Sequence, residues 1–172
     1  MILNLNQVSK TFPDGTEALK NITFSLESGD FCVVGGANGA GKSVLMSLIA
    51  NLEQPTSGKI TTEYAGLVFQ EADSQILGET PLEDVCYSLT NTGLKPAAAR
   101  ENALKLLEKV ALREKADYNA RTLSGGEKRR LAVASVLALE PNIIIFDEPF
   151  AKLEWKSVKQ LCNLLLELKN QE

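Results

Sequence analysis

Alternating apolar and polar positions predict a pair of antiparallel strands at the start of the chain. The run ILNLNQVSKTF alternates, NITFSLES alternates again, and the turn residues Pro13-Asp14-Gly15 lie between them. A period of two residues is typical of strands with one buried face, and a short connection favours antiparallel pairing. The runs KITTE and YAGLVFQ predict two further short strands.

Two continuous apolar runs predict strands that are buried in a sheet. FCVVGG, residues 31–36, ends in glycine, and NIIIFDEP, residues 142–149, contains two acids after its apolar part. Unbroken apolar strands are typical of parallel sheets that are covered on both faces. We therefore predict that both strands are buried and that Cys32 is a small core residue.

Helical periodicity predicts five helices, most with a recognisable start or stop. The first follows a glycine-rich stretch and stops at Gln54-Pro55. Residues 80–83, TPLE, supply an N-cap, a first-turn proline and an N3 acid for the second. The others are predicted in KPAAARENALKLLEKVAL, SGGEKRRLAVASVLALE and WKSVKQLCNLLLELKN. Strands at the front, helices in the middle and a strand before the last helix predict an α/β fold.

The composition is that of an ordinary globular protein, and it excludes some kinds of binding site and chemistry. The 172 residues are 44% hydrophobic and 23% charged, and the net charge is −4. That balance argues against nucleic-acid binding, which usually requires a basic face. The sequence has no histidine, so imidazole chemistry within it is excluded, and its three cysteines have no metal-binding spacing. Every apolar run is far shorter than the ~20 residues of a membrane span, so a membrane connection is expected to require a partner.

The stretch GANGAGKS has the pattern of a phosphate-binding loop between a predicted strand and a predicted helix. Glycines let backbone amides point at phosphate oxygens, and the helix N-terminus adds partial positive charge. Lys42 is expected to reach the β- and γ-phosphates, and the Ser43 hydroxyl to bind Mg²⁺. The alternative is a glycine-rich turn with a chance lysine. The predicted nucleotide-binding residues here are Gly36, Ala37, Asn38, Gly39, Ala40, Gly41, Lys42, Ser43 and Val44.

Asp147 and Glu148 follow the apolar run IIIF. Ligand crevices form at the carboxyl ends of strands in a parallel sheet. Asp147 is expected to hold Mg²⁺ through water, and Glu148 to polarise the attacking water. The alternative is a solvated turn.

GANGAGKS, the glutamine of LVFQ, LSGGEKRR and IIIFDEP, in that order, resemble the motifs of the ATP-binding-cassette (ABC) ATPases. The resemblance implies a P-loop NTPase fold with a RecA-like α/β core, an N-terminal antiparallel β subdomain and an inserted α-helical subdomain. It implies one ABC ATPase domain over residues 1–172. The β subdomain and core would occupy 1–70 and 140–172, and the Q-loop and helical signature subdomain 71–139.

In that family two chains meet head to tail, and each ATP lies between one phosphate loop and the partner's LSGG turn. The resemblance therefore implies that Ser124, Gly125 and Gly126 bind the partner chain's nucleotide. The serine hydroxyl, the exposed glycine amides and the positive end of the following helix suit a γ-phosphate. The alternative is a glycine-rich N-cap of an ordinary helix.

Two further assignments come from the resemblance. Gln70 matches the glutamine that contacts Mg²⁺ and the γ-phosphate. The predicted catalytic residues are therefore Gln70, Lys42 and Glu148. The predicted Mg²⁺ ligands are Ser43, Gln70 and Asp147. Phe12 lies where an aromatic ring stacks on adenine. Residues 128–130, KRR, are interpreted as a solvated helix face with some role near phosphates and are assigned no chemistry.

The segment VFQEADSQILGETPLEDVCYSL is similar to that of energy-coupling-factor importers. This similarity implies an ATP-hydrolysing subunit at the cytoplasmic face of the membrane, with ATP and Mg²⁺ as cofactors. Its expected partners are a copy of itself or a related ATPase subunit and an integral membrane transporter subunit, and not nucleic acid. The alternatives are a soluble ABC ATPase unconnected with transport and a degenerate regulatory subunit that binds ATP.

Three departures from the family pattern lead to a further expectation. Val44 replaces a second hydroxyl residue, and Lys152 in AKLE stands where a small residue is usual at the dimer seam. The family also continues into a strand and a switch histidine, so the sequence looks truncated. We expect near-normal ATP binding and impaired turnover in the 172-residue chain.

Overall fold

The computed structural model describes residues 1–169. Within these residues it contains all five predicted helices and five of the six predicted strands. The last helix is predicted to include Asn170, which lies outside the described residues. The elements are β1 Leu3–Thr11, β2 Glu17–Leu26, α1 Lys42–Ile49, β3 Ser57–Thr62, β4 Ala65–Val68, α2 Pro81–Asn91, α3 Pro96–Lys109, α4 Gly125–Leu137, β5 Ile143–Phe146 and α5 Trp155–Lys169.

The chain divides into two compact units. The first unit comprises residues 1–67 and 142–147, and the second comprises residues 68–141 and the chain from residue 148 onward. Asp147 therefore belongs to the first unit and Glu148 to the second. The subdomain limits predicted from the family pattern, at residues 70 and 140, stay a prediction.

The first unit is built on a three-stranded antiparallel sheet in the order β2-β1-β3. Leu3 of β1 pairs with Leu26 of β2 and with Thr62 of β3, which confirms the predicted antiparallel pair. Buried residues of β1 alternate along its start, and α1 packs its apolar side into the same core. The core residues are Leu3, Leu5, Val8, Leu19, Leu45, Leu48, Ile49, Leu67 and Ile145.

The predicted strand at residues 31–36 is wrong. These residues have no regular secondary structure, and the side chains of Phe31 and Val33 are 61% and 80% exposed. Cys32 is also exposed, so it is not a core residue. A strand requires a hydrogen-bonded neighbour, and the described ladders join β1 with β2 and β3, and β4 with β5. The apolar composition predicted a buried strand, but no strand in the described residues pairs with residues 31–36.

The strand before the acid pair is present but less buried than predicted. β5 pairs with β4 in a two-stranded sheet, and of its residues only Ile145 is buried. Its short length matches the four apolar positions of the sequence. The strand places Asp147 directly after its carboxyl end.

The second unit is a helical assembly of α2, α3, α4 and α5. The predicted start of α2 is confirmed, because Thr80 and Glu83 form a reciprocal capping box. Asp84 is buried next to this cap and accepts hydrogen bonds from the Leu77 and Gly78 amides at 2.7 and 2.9 Å and from the Ser135 hydroxyl at 2.6 Å. Such a fully hydrogen-bonded carboxylate ties the segment before α2 to α4.

Within residues 1–169, no helix has both the length and the apolar character that crossing a bilayer requires.

Candidate functional site

The predicted phosphate loop leads directly into α1. Gly41 is the N-cap of this helix and has a φ of +84°, the left-handed conformation that favours glycine. A Cβ atom at Gly41 would approach the Ala18 carbonyl oxygen and would lie 3.0 Å from Leu19 Cδ2. The backbone path of the loop therefore requires glycine at this position.

Lys42 holds the loop in shape. Its Nζ donates hydrogen bonds to the carbonyl oxygens of Gly36 and Ala37, both at 2.9 Å. Ser43 is exposed on the first turn of α1, whereas Val44 packs against the core of the first unit. The lysine and the serine are thus held at a helix N-terminus, where an anion is favoured. Their predicted roles toward phosphate and Mg²⁺ stay predictions.

Asp147, a predicted Mg²⁺ ligand, has a buried carboxylate oxygen without a hydrogen-bond partner within residues 1–169. Its Oδ1 atom is buried and has no hydrogen-bond partner in the described part of the chain. An unsatisfied buried oxygen costs about 1–3 kcal/mol, and a cation would remove that cost. No cluster of three or more His, Cys, Asp or Glu side chains suited to a metal occurs in residues 1–169. Asp147 and the Ser43 hydroxyl nevertheless fit Mg²⁺, because this ion prefers oxygen ligands and usually completes its shell with water and phosphate.

The ring of Phe12 is half-buried just after β1. The Lys10 ammonium lies 5.4 Å from its centroid, a cation–π distance. The Phe12 backbone forms a turn in which its amide donates to the Thr16 carbonyl oxygen at 3.0 Å. The proposed stacking of Phe12 on adenine stays a prediction.

Gln70 and Glu148 are brought together although 78 positions separate them. Gln70 Nε2 donates to Glu148 Oε2 at 2.7 Å, and both residues are exposed. Glu148 has a φ of +43°, a conformation that is uncommon for a residue with a side chain and that is often found at functional sites. A second contact runs alongside, from Lys152 Nζ to Glu71 Oε1 at 3.0 Å. The unusual lysine of the AKLE segment therefore has an acidic partner within its own unit.

The LSGG turn caps α4. Ser124 is exposed, its hydroxyl accepts from the Glu127 amide at 3.3 Å, and its own amide donates to Glu127 Oε2 at 3.0 Å. This is a capping box, and the Ser-x-x-Glu spacing was a signal for it that the sequence reasoning missed. The hydroxyl keeps its proton as a hydrogen-bond donor, so helix capping and the predicted contact with a phosphate are compatible.

The two glycines of this turn differ. A Cβ atom at Gly125 would meet nothing within 4 Å. Gly126 is buried, and a Cβ atom there would lie 2.6 Å from the Cβ of Ser157 on α5. The expectation that both glycines are exposed therefore holds for Gly125 only. The absence of a side chain at Gly126 is required by the packing of α4 on α5.

The interpretation of residues 128–130 as a solvated face is wrong. Arg129 and Arg130 are only 5% and 7% exposed. Arg129 Nη1 donates to the Phe69 carbonyl oxygen at 3.0 Å, and Lys128 Nζ lies 2.5 Å from Asp73 Oδ1.

Arg130 lies on the same helix but contacts other segments. Its Nε donates to the Val110 carbonyl oxygen at 2.9 Å, and its Nη1 donates to Gln160 Oε1 at 2.8 Å. Burial lowers the pKa of its guanidinium, and the nearby Glu127 carboxylate opposes that effect. Long basic side chains can bury their stems where backbone carbonyls satisfy the charged end, which composition alone does not indicate.

Replacing Lys115 with Met should reduce stability at neutral pH and less so in acid. Lys115 Nζ lies 2.6 Å from Glu127 Oε1, and this hydrogen bond holds the pKa of the Glu127 carboxyl below its ordinary value. A depressed carboxyl pKa contributes stability above the unfolded value of about 4.3 and loses it as the pH falls through the folded value. We expect K115M to be about 0.5–1 kcal/mol less stable at neutral pH.

Urea unfolding between about pH 3 and 7 measures this pH dependence. Lys59→Met, a change at an exposed lysine of β3, is the control and should leave the pH dependence unaltered. A stability difference between K115M and the native chain that stays constant down to the acid end would contradict the assignment.

Residues 19–151 match the family model described as ABC transporter. A curated relative named energy-coupling factor transporter ATP-binding protein EcfA, from Methanosphaera stadtmanae, is 36% identical over 97% of this chain and 66% of its own length. EcfA2 from Streptococcus thermophilus is 35% identical over 98% of this chain and 68% of its own length. The chain thus spans about two thirds of the length of these relatives.

Solved structures have the same architecture. The cbiO1 protein of Clostridium perfringens, described as part of the ABC transporter complex cbiONQ, superposes with a TM-score of 0.88 at 30% identity, covering 99% of this chain and 74% of its own. The ATP-binding cassette MJ0796, in a dimeric post-hydrolysis state bound to ADP and Pi, superposes with a TM-score of 0.88 at 29% identity, covering 99% of this chain and 84% of its own. The predicted resemblance and fold class are confirmed, and the chain belongs to the ABC transporter family, with the fold of its ATP-binding cassettes.

Proposed function

We propose that this chain is the ATP-binding and ATP-hydrolysing component of a membrane importer of the energy-coupling-factor type. The observation that carries the proposal is that the chain has two glycine-rich helix N-termini suited to phosphate. One follows the phosphate loop at Gly41, and the other begins at the exposed Ser124 cap. The phosphate loop binds the nucleotide of its own chain, so the Ser124 turn is free to contact the nucleotide that another chain holds.

The residues of this chain divide the proposed chemistry among them. Lys42 would exchange its two carbonyl acceptors for phosphate oxygens, and the backbone of its loop would hold the triphosphate. Ser43, Gln70 and Asp147 would hold Mg²⁺, which when bound neutralises charge on the phosphates. Glu148 would accept a proton from the attacking water, and the Gln70 amide at 2.7 Å would orient its carboxylate.

The partners follow from the same proposal. A second copy, or a related ATPase subunit, would supply Ser124 and Gly125 to the nucleotide held by this chain. The relatives named energy-coupling factor proteins and the structure described as dimeric support this arrangement. A membrane transporter subunit would then receive the motion of closure. The chain would accordingly lie at the cytoplasmic face of the membrane, bound to that subunit.

Mixing two inactive variants tests the shared site. Lys42→Ala should disable the phosphate loop, and Ser124→Glu should place a negative charge against the partner's γ-phosphate, so each variant alone should lose ATP hydrolysis. A mixed dimer contains one site with both defects and one site with neither. Equal mixing should therefore restore about a quarter of the native activity if dimers form at random.

Phosphate release at equal total protein concentration measures this recovery, and unmixed variants are the controls. Ser124→Ala is a matched variant that removes the hydroxyl without adding charge and should retain more activity than Ser124→Glu. A mixture that stays as inactive as its components would contradict a site shared between two chains.

A further inference from the structure

We propose that Arg129 is a positioning residue that holds Gln70 in place for ATP hydrolysis, an inference that rests on the proposed function. Arg129 is buried on α4, and its Nη1 donates to the Phe69 carbonyl oxygen at 3.0 Å. That carbonyl belongs to the planar peptide bond that joins Phe69 to Gln70. The hydrogen bond therefore fixes the peptide plane from which the Gln70 side chain extends.

The other side of Phe69 is fixed as well. Its amide donates to Gln75 Oε1 at 3.1 Å, and Lys128, next to Arg129 on α4, binds Asp73 at 2.5 Å. The segment 69–75 is thus attached to α4 by two consecutive basic side chains. The Lys128 contact is an ion pair with a largely exposed aspartate, whereas the Arg129 contact is partly buried and so is less screened by solvent.

This attachment has a consequence for Glu148. Gln70 is exposed, and its long side chain donates the 2.7 Å hydrogen bond to Glu148. A long exposed side chain reaches a defined point only when its backbone is fixed. Arg129 therefore sets the position from which Gln70 orients the Glu148 carboxylate.

The same helix presents Ser124. The capping box at Ser124 begins α4, and Arg129 lies on its second turn. Because a helix moves as a rigid rod, the element that carries the proposed contact to a partner's nucleotide also fixes the peptide before Gln70. Arg129, to which the family motifs assign no chemistry, thus links the helix that presents Ser124 to the segment that carries Gln70.

Arg129→Met in the full chain tests the proposal, with Arg130→Met as a matched control. Arg130 is on the same helix and is about equally buried, but it binds Val110 and Gln160 rather than segment 69–75. Both variants should have lower melting temperatures. Only Arg129→Met should slow single-turnover ATP cleavage, by roughly 10- to 100-fold, while its affinity for ATP stays within about twofold of native.

Arg129→Lys keeps a donor for the Phe69 carbonyl oxygen and should recover part of the rate. Hydrogen exchange of the peptides that cover residues 69–75 should be faster in Arg129→Met than in Arg130→Met. If Arg129→Met does not fold, Gln75→Leu, which removes the acceptor of the Phe69 amide, should slow cleavage with unchanged ATP affinity.

The outcomes separate this inference from the proposed function. A native chain that cleaves ATP, together with an Arg129→Met chain that cleaves it equally fast, overturns the role of Arg129 alone. Equal slowing in Arg129→Met and Arg130→Met also overturns it, because a general loss of helix packing would then explain the effect. A native chain that binds ATP and never cleaves it overturns the proposed function and the inference together.

Discussion

Lys42→Ala should lower the affinity of the chain for ATP by roughly 10- to 100-fold, because a hydrogen bond to a charged group contributes about 1.5–3 kcal/mol. The Lys42 ammonium already lies over the loop, where it donates to the Gly36 and Ala37 carbonyl oxygens. Phosphate oxygens are stronger acceptors than these neutral carbonyls. The lysine therefore needs little rearrangement to bind a nucleotide, and its loss removes both the charge and the support of the loop.

Titration with a fluorescent ATP analogue measures the affinity, and far-UV circular dichroism verifies that the variant is folded. Lys20→Ala removes an exposed lysine of the same unit, whose ion pair is with Glu17, and should leave ATP affinity unchanged. An affinity of Lys42→Ala equal to the native value would mean that the stretch GANGAGKS is only a glycine-rich turn.

Local signals in the sequence predicted the elements whose stability is itself local. The residues TPLE at 80–83 predicted the start of α2, and the structure has the corresponding capping box between Thr80 and Glu83. Alternation in the first strands predicted β1 and β2 and their antiparallel pairing. In these cases the hydrogen-bond partners are close in sequence or joined by a short turn, so the pattern contains most of the information.

The apolar run at residues 31–36 shows where this reasoning stops. A buried strand depends on neighbours that are distant in sequence, and apolar composition does not reveal whether they are present. In the described residues no strand pairs with this run, and its side chains are exposed.

The wrong prediction for residues 128–130 has a different cause. Arg129 and Arg130 are buried and donate to carbonyl oxygens of other segments, which a run of basic residues does not indicate.

At the candidate site, too, the sequence predicted some residues and not others. Family motifs indicated Gln70 and Glu148 separately, and the structure brings the two side chains within hydrogen-bond distance. No sequence signal indicated the contact between Arg129 and the Phe69 carbonyl oxygen, because main-chain acceptors look alike in every sequence. Motifs therefore locate side chains that would act on a ligand, whereas the residues that support them become visible only in the fold.

Glu148→Gln should reduce ATP turnover by roughly 10²- to 10⁴-fold, the usual contribution of a general base, without reducing ATP affinity. The substitution removes the negative charge that would accept a proton from water and retains the size of the side chain. The Gln70 amide can still donate to the new carbonyl oxygen, so the 2.7 Å contact can persist. A chain that binds ATP but cannot cleave it should also accumulate as an ATP-bound dimer, because the closed state no longer has a fast route to ADP.

Phosphate release measures turnover, and light scattering with ATP and Mg²⁺ measures association. Glu140→Gln is a closely matched control, because Glu140 is also an exposed glutamate with a positive φ, of 50°. It should have native turnover and should not accumulate as a dimer. Suppose instead that Glu148→Gln leaves turnover of the assembled complex unchanged. Glu148 would then not be the base, and the chain would complete a partner's site in the manner of a regulatory subunit, since ATP affinity would be retained while cleavage depended on another chain's acid.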